Sequence, residues 1–81
     1  MTKHVRVRYF AVLREERGRD VDELDTSVHT SGELYDALEA KYGFSLPRHL
    51  VGVAVNGRLV TRETVLNDGD EVVFLPPVAG G

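Results

Sequence analysis

Hydrophobic and polar positions alternate at the start of the chain. Val5, Val7 and Tyr9 fall on one side, and Arg6, Arg8 and Phe10 on the other. A period of two is the mark of a strand with one buried face and one polar face. Ala11 to Arg17 reads as a short turn of helix that Gly18 ends. Val21 and Leu24 lie in an acidic stretch that reads as a second strand, with an imperfect period. From Thr30 the period changes. Thr30-Ser31-Gly32-Glu33 has the form of a capping box, in which the threonine hydroxyl and the glutamate satisfy each other's end of the helix. Leu34, Ala37, Leu38, Lys41 and Tyr42 follow at helical spacing. Gly43 supplies the stop, since glycine accepts the left-handed conformation. The predicted helix runs from Ser31 to Tyr42, with Glu33, Asp36 and Glu39 on its other faces.

Phe44 to Leu50, which contains Pro47, reads as a loop. Val51, Val53 and Val55 alternate again as a third strand. Asn56-Gly57 is a strong hairpin signal, and Arg58-Leu59-Val60 returns as a short strand. Asn67-Asp68-Gly69-Asp70 is a second tight turn. Glu71 to Leu75 is a final strand, with Val72 and Phe74 on one face and Val73 and Leu75 on the other. Pro76-Pro77 ends sheet pairing, because proline has no N–H to give to the ladder. One helix among five strands must cover one face of a mixed sheet, so the expected class is α+β in two layers. Residues 1–75 are expected to form the domain and 76–81 a flexible tail.

Length and composition narrow the function. The chain has 81 residues, enough for one domain with a small core and little room for an internal active site. It contains no cysteine, which excludes disulfides, thiolate metal sites and cysteine nucleophiles, and favours a reducing, cytoplasmic setting. No signal peptide or membrane-spanning run is present in the sequence, so no membrane partner is expected. The net charge of −3 argues against nucleic acid as a partner. Lys3, Arg6, Arg8, Arg14, Arg17 and Arg19 crowd the first quarter, and Asp20, Asp22, Glu23 and Asp25 follow at once. They are expected to be solvated strands with complementary charges, with a basic patch for a phosphate-bearing ligand or acidic partner as the alternative.

Side-chain chemistry is sparse. Ser27, Ser31 and Ser45 lie in no nucleophile-elbow motif. His4, His29 and His49 have no metal-ligand spacing, and no metal is expected. Asp68 and Asp70 suit the turn around Gly69 better than acid–base work. There is no phosphate loop or dinucleotide fingerprint. The tail is different. Pro76-Pro77 stiffens the exit from the sheet, Val78 offers one apolar contact, and Ala79, Gly80 and Gly81 have almost no bulk. Such a segment can thread a narrow channel and present the Gly81 carboxylate inside another protein. A carboxylate is a poor electrophile until activated, for example as an anhydride with AMP. This chain has no nucleotide site, so a partner must activate it.

The segments Val55-Asn56-Gly57, Leu66-Asn67-Asp68-Gly69-Asp70-Glu71-Val72 and Pro76-Pro77-Val78-Ala79-Gly80-Gly81 resemble the MoaD branch of the MoaD/ThiS sulfur carriers. Those are the small subunits of molybdopterin synthase. Tyr9-Phe10-Ala11-Val12-Leu13-Arg14-Glu15 also resembles the family's first strand and turn, so the likeness covers essentially the whole chain. The resemblance implies a β-grasp, ubiquitin-like fold. It implies that an E1-like adenylyltransferase of the MoeB type uses ATP to adenylate Gly81, that a sulfur donor protein converts the adenylate to a thiocarboxylate, and that the domain binds no cofactor itself. It further implies a MoaE-like large subunit, assembled as a heterotetramer, whose active site receives the tail and passes sulfur to precursor Z. Phe10, Leu59 and Leu75 match positions where the family has exposed apolar docking residues, with Pro76, Pro77 and Val78 joining them.

The sequence leaves three other readings open. Related carriers feed cysteine, thiazole or thiolated tRNA synthesis with the same tail chemistry. The same activated glycine could be attacked by a lysine, giving a protein modifier. A plain interaction domain would make no use of the tail.

Overall fold

A computed structural model describes residues 2–77. The chain runs β1 (Lys3–Tyr9), α1 (Ala11–Arg17), β2 (Val21–Thr26), α2 (Ser31–Tyr42), a 3₁₀ turn over Arg48–Leu50, β3 (Gly52–Val55), β4 (Arg58–Val60) and β5 (Glu71–Leu75). The five strands form one sheet in the order β2-β1-β5-β3-β4. All pairs are antiparallel except the central one. There β5 lies parallel to β1, with Val7 opposite Val72 and Tyr9 opposite Phe74. This mixed sheet packed on one main helix is the β-grasp arrangement.

Local signals set the element ends. The Thr30 hydroxyl accepts from the Glu33 N–H, and the Glu33 carboxylate accepts from the Thr30 and His29 N–H groups. Those bonds occupy donors at the helix start that would otherwise lack partners. At the far end, Gly43 adopts φ 72° and its N–H returns to the Glu39 carbonyl. Gly18 closes α1 in the same way. Asn56 and Gly57 both have positive φ, as a two-residue hairpin loop matched to strand twist requires. The Asn56 side chain then ties the hairpin to β5. Its amide donates to Asp70, and its carbonyl accepts from the Glu71 N–H.

The core lies between the sheet and α2. Val5, Val7, Tyr9, Val53, Val55, Val72 and Phe74 from the sheet meet Leu34, Tyr35 and Leu38 from the helix. Two details differ from the sequence pattern. The buried stripe of α2 is Ser31, Leu34, Tyr35 and Leu38, while Ala37 and Lys41 are exposed. Both stripes have i, i+3, i+4, i+7 spacing. The choice between them falls to the aromatic contacts. Tyr35 stacks on Phe44 at 5.8 Å and meets the edge of Phe74 at 5.2 Å. Phe44, placed in a loop by the sequence, is accordingly a core residue.

The second difference is in β2. Its inward positions are Asp22, Leu24 and Thr26, the partners of Val7, Val5 and Lys3. Asp22 is therefore buried rather than solvated, at 6% exposure. Its Oδ2 accepts from the Tyr9 hydroxyl at 2.8 Å and from Arg17 Nε at 2.7 Å. Its Oδ1 accepts from Arg17 at 2.9 Å and Arg19 at 3.2 Å. The Arg17 guanidinium also lies 4.1 Å over the Tyr42 ring. This network joins α1, β1, β2 and α2, and it explains the imperfect period of β2.

Candidate functional site

With α2 on one face, no element of the described residues covers the other face of the sheet. Its residues follow from strand parity and register. One row runs Val21, Arg8, Val73, Ala54, Leu59 across β2, β1, β5, β3 and β4. The next contains Leu75 and Gly52, and continuing the register by one residue sets Phe10 beside Leu75. Phe10 is 43% exposed and Leu59 79%. Leu75 and Pro76 are partly exposed, and Pro77 is exposed. The described residues thus bring Phe10, Leu59 and Leu75 to one surface, on the side from which the chain leaves β5.

Phe10 owes its position to a turn. It is the last extended residue after β1 and the N-cap of α1, with φ −130°. Ala11 follows at φ 52°, an uncommon value for a residue with a side chain. The abrupt change of direction starts α1 across the strand end and leaves the Phe10 ring outside the core.

Val73, Ala54 and Gly52 form the middle of the apolar face, and they were not singled out beforehand. Their parity with Leu75 and Leu59 was the available signal. Gly52 has no steric need to be glycine, since an added Cβ would meet only ordinary contacts with Leu75 at 3.7 Å.

The far end of the same face is polar. His4 lies 3.1 Å from Glu23 and 3.0 Å from Asp25, and Arg6 lies 3.8 Å from Glu23. Hydrogen bonds to Glu23 and Asp25 raise the His4 pKa above its ordinary value. The Glu23 carboxyl is held below its usual range, chiefly by His4 and then by Arg6. The complementary-charge expectation therefore applies to these pairs, but Asp22 belongs to the interior. Burial alone would raise the Asp22 carboxyl, yet hydrogen bonds from Arg17 and Tyr9 outweigh it and leave the pKa lowered.

Asp68 and Asp70 serve the turn. Asp68 accepts from the His4 N–H, and Asp70 from the Asn67 N–H and the Asn56 amide. Among the described residues no group of three or more His, Asp or Glu side chains could hold a metal ion. A groove of about 280 Å³ runs between β2 and α2, lined by Asp22, Leu24, Leu34, Leu38, Lys41 and Tyr42. The Asp22 oxygens are already engaged by Tyr9, Arg17 and Arg19. No helix among the described residues is long and apolar enough to cross a membrane. The tail residues Val78, Ala79, Gly80 and Gly81 lie outside the described residues.

The ThiS family pattern matches residues 7–81. The chain is 43% identical to the molybdopterin synthase sulfur carrier subunit of Mycobacterium tuberculosis, covering 95% of this chain and 96% of that protein. It is 36% identical to the Escherichia coli protein of the same name, covering 95% and 99%. Among solved structures it is similar to small archaeal modifier protein 1 of Methanosarcina acetivorans. The TM-score is 0.80 at 27% identity, over 100% of this chain and 99% of that one. It is also similar to a chain in the complex of subunits 1 and 2 of the molybdopterin-converting factor of Helicobacter pylori, with TM-score 0.64 and 30% identity over the full length of both chains. A mixed five-stranded β-grasp sheet, a bare apolar face beside the exit of β5 and a family match reaching from β1 to Gly81 agree, and the chain belongs to the ThiS family.

Proposed function

We propose that this chain is the sulfur carrier subunit of molybdopterin synthase, with Gly81 as its working residue. The observation that carries this reading is the near full-length likeness to a protein of that name, with the family match running to the end of the chain at Gly80-Gly81. The chemistry runs through the tail. A Gly81 carboxylate oxygen attacks the α-phosphorus of ATP on an E1-like adenylyltransferase of the MoeB type, and pyrophosphate leaves. A donor protein delivers sulfur at the sulfide level, which attacks the carbonyl carbon and expels AMP, giving a thiocarboxylate. The large, MoaE-like subunit receives Val78, Ala79, Gly80 and Gly81 and supplies the catalytic side chains. Sulfur passes to precursor Z, and water returns Gly81 to the carboxylate. The domain contributes a rigid base, the bare sheet face for docking through Phe10, Leu59, Leu75, Pro76 and Pro77, and a tail slim enough to enter another active site. It holds no cofactor of its own, and ATP belongs to the activating enzyme.

The experiment is mass spectrometry of the protein recovered from cells that contain its natural activating enzyme. Replacement of one oxygen by sulfur, mapped to Gly81, is the expected result. An unmodified tail after supply of ATP, activating enzyme and sulfur donor would overturn the reading.

The likeness to an archaeal modifier protein favours a second reading, in which a lysine amine attacks the same activated carbonyl. It predicts isopeptide adducts between Gly81 and other proteins in the same sample.

A further inference from the structure

Among the described residues, the bare sheet face contains one arginine without an ion pair. His4 and Arg6 at the polar end each have a carboxylate within 4 Å. Arg17 and Arg19 are engaged by Asp22 on the inward side of β2. Arg8 is exposed on β1, and its cross-strand neighbours are Val21 on β2 and Val73 on β5. Among the described residues no carboxylate forms an ion pair with it. Its own row is otherwise apolar, with Val21 on one side and Val73, Ala54 and Leu59 on the other, the next row towards the exit of the chain holds Phe10 and Leu75, and the row behind it holds Glu23, Arg6 and Glu71. Arg8 therefore sits, without an ion pair of its own, on the boundary between a charged end and an apolar end that a partner would cover.

Any partner that buries Val73, Ala54, Leu59 and Leu75 also strips water from Arg8. A guanidinium left dry without a counter-charge would oppose binding, whereas one met by a carboxylate gains charge-assisted hydrogen bonds in a fork geometry that lysine cannot reproduce. We propose that Arg8 is the specificity residue of this face, and that the large subunit receiving the tail meets it with an Asp or Glu side chain set in an otherwise apolar surface. The inference rests on the proposed function, because it takes the large subunit as the occupant. The apolar contacts hold the surfaces together, while Arg8 fixes their register and excludes partners with a neutral or basic residue at that point.

The test is calorimetric titration of the cognate large subunit with the full-length wild-type chain, R8K, R8A and R8E, each at low and high salt. Circular dichroism checks that the variants are folded. R8E should bind roughly 100-fold more weakly and R8A roughly 10-fold more weakly, with R8K between R8A and wild type. Wild-type affinity should fall more steeply with salt than that of R8A. Replacing the facing acid of the large subunit by lysine should restore binding to R8E, which a merely structural role for Arg8 does not predict. If R8E does not fold, the R8A affinity and salt slope decide the matter. Wild-type binding with R8A and R8E within about threefold of it would overturn the role of Arg8 and leave the proposed function intact. No binding by the wild-type chain would overturn both.

Discussion

Asp22→Asn changes one buried oxygen to an amide and keeps the shape of the side chain. The two carboxylate oxygens accept four hydrogen bonds, from Tyr9, from Arg17 twice and from Arg19. Whichever oxygen becomes the amide, two donors then face a donor. If the amide replaces Oδ2, the Tyr9 hydroxyl and Arg17 Nε lose their acceptor. If it replaces Oδ1, the second Arg17 nitrogen and Arg19 do. The Asp22 side chain keeps 7% of its exposure and Arg17 18%, so water replaces little of what is lost. Breaking a buried pair by removing one charge costs about 3–5 kcal/mol, and the partial access of Arg17 places this case near about 3 kcal/mol. For a chain of this size that is a fall in Tm of about 12–24 °C. Urea unfolding of the wild type and the variant at neutral pH measures it directly, as a shift of midpoint without change of slope. Acid adds a second readout. The folded Asp22 carboxyl titrates below its unfolded value. Its contribution is therefore present above the unfolded pKa, about 4, and is lost as pH falls through the lower folded one. The gap between wild type and variant should close in that acid range. Equal midpoints at neutral pH, or a gap that persists unchanged into strong acid, would refute the account.

Thr30→Ala removes the acceptor for the Glu33 N–H and should cost about 1 kcal/mol in the same unfolding assay, with Thr30→Ser restoring most of it. Phe10→Arg and Leu75→Arg should leave the Tm within a few degrees of wild type while weakening binding to the large subunit, read by calorimetry. Unfolding of either variant would place its side chain in the core instead of on the bare face. Removal of Gly81 should abolish thiocarboxylate formation, read by mass spectrometry, with no change in Tm, because the residue lies beyond the end of β5 at Leu75. Burial pushes the Tyr35 hydroxyl up to about 12, so ultraviolet titration should show a tyrosine ionising near there. The stability linked to it is complete below the unfolded value, near about 10, and is lost as pH rises through the folded one.

Much of this protein was legible along the chain because the signals are local. The capping box at Thr30 and the glycine at position 43 bound α2 at Ser31 and Tyr42, since helix ends are closed by side chains and backbone within a few residues. Asn56-Gly57 fixed the β3–β4 hairpin, since positive φ at both positions selects those residue types. Parity along β1 and β5 put Phe10 and Leu75 opposite the core faces of their strands. The chemistry proposed for the tail is also local, because Gly80 and Gly81 need no side chain from elsewhere to offer a carboxylate.

Tertiary structure decided whatever depends on residues far apart in sequence. The parallel pairing of β1 with β5 joins the two ends of the chain, and no periodicity within either strand announces its neighbour. That pairing places Val73 next to Arg8 and continues the apolar row to Ala54 and Leu59. The rotation of α2 was a choice between two stripes of equal spacing, settled when Tyr35 met Phe44 and Phe74. Asp22 reads as a surface acid until Tyr9 and Arg17 are brought against it. Pattern specifies which elements form, because helix caps and turns close over a few residues. Packing specifies which faces meet, because burial depends on partners that the chain supplies from a distance.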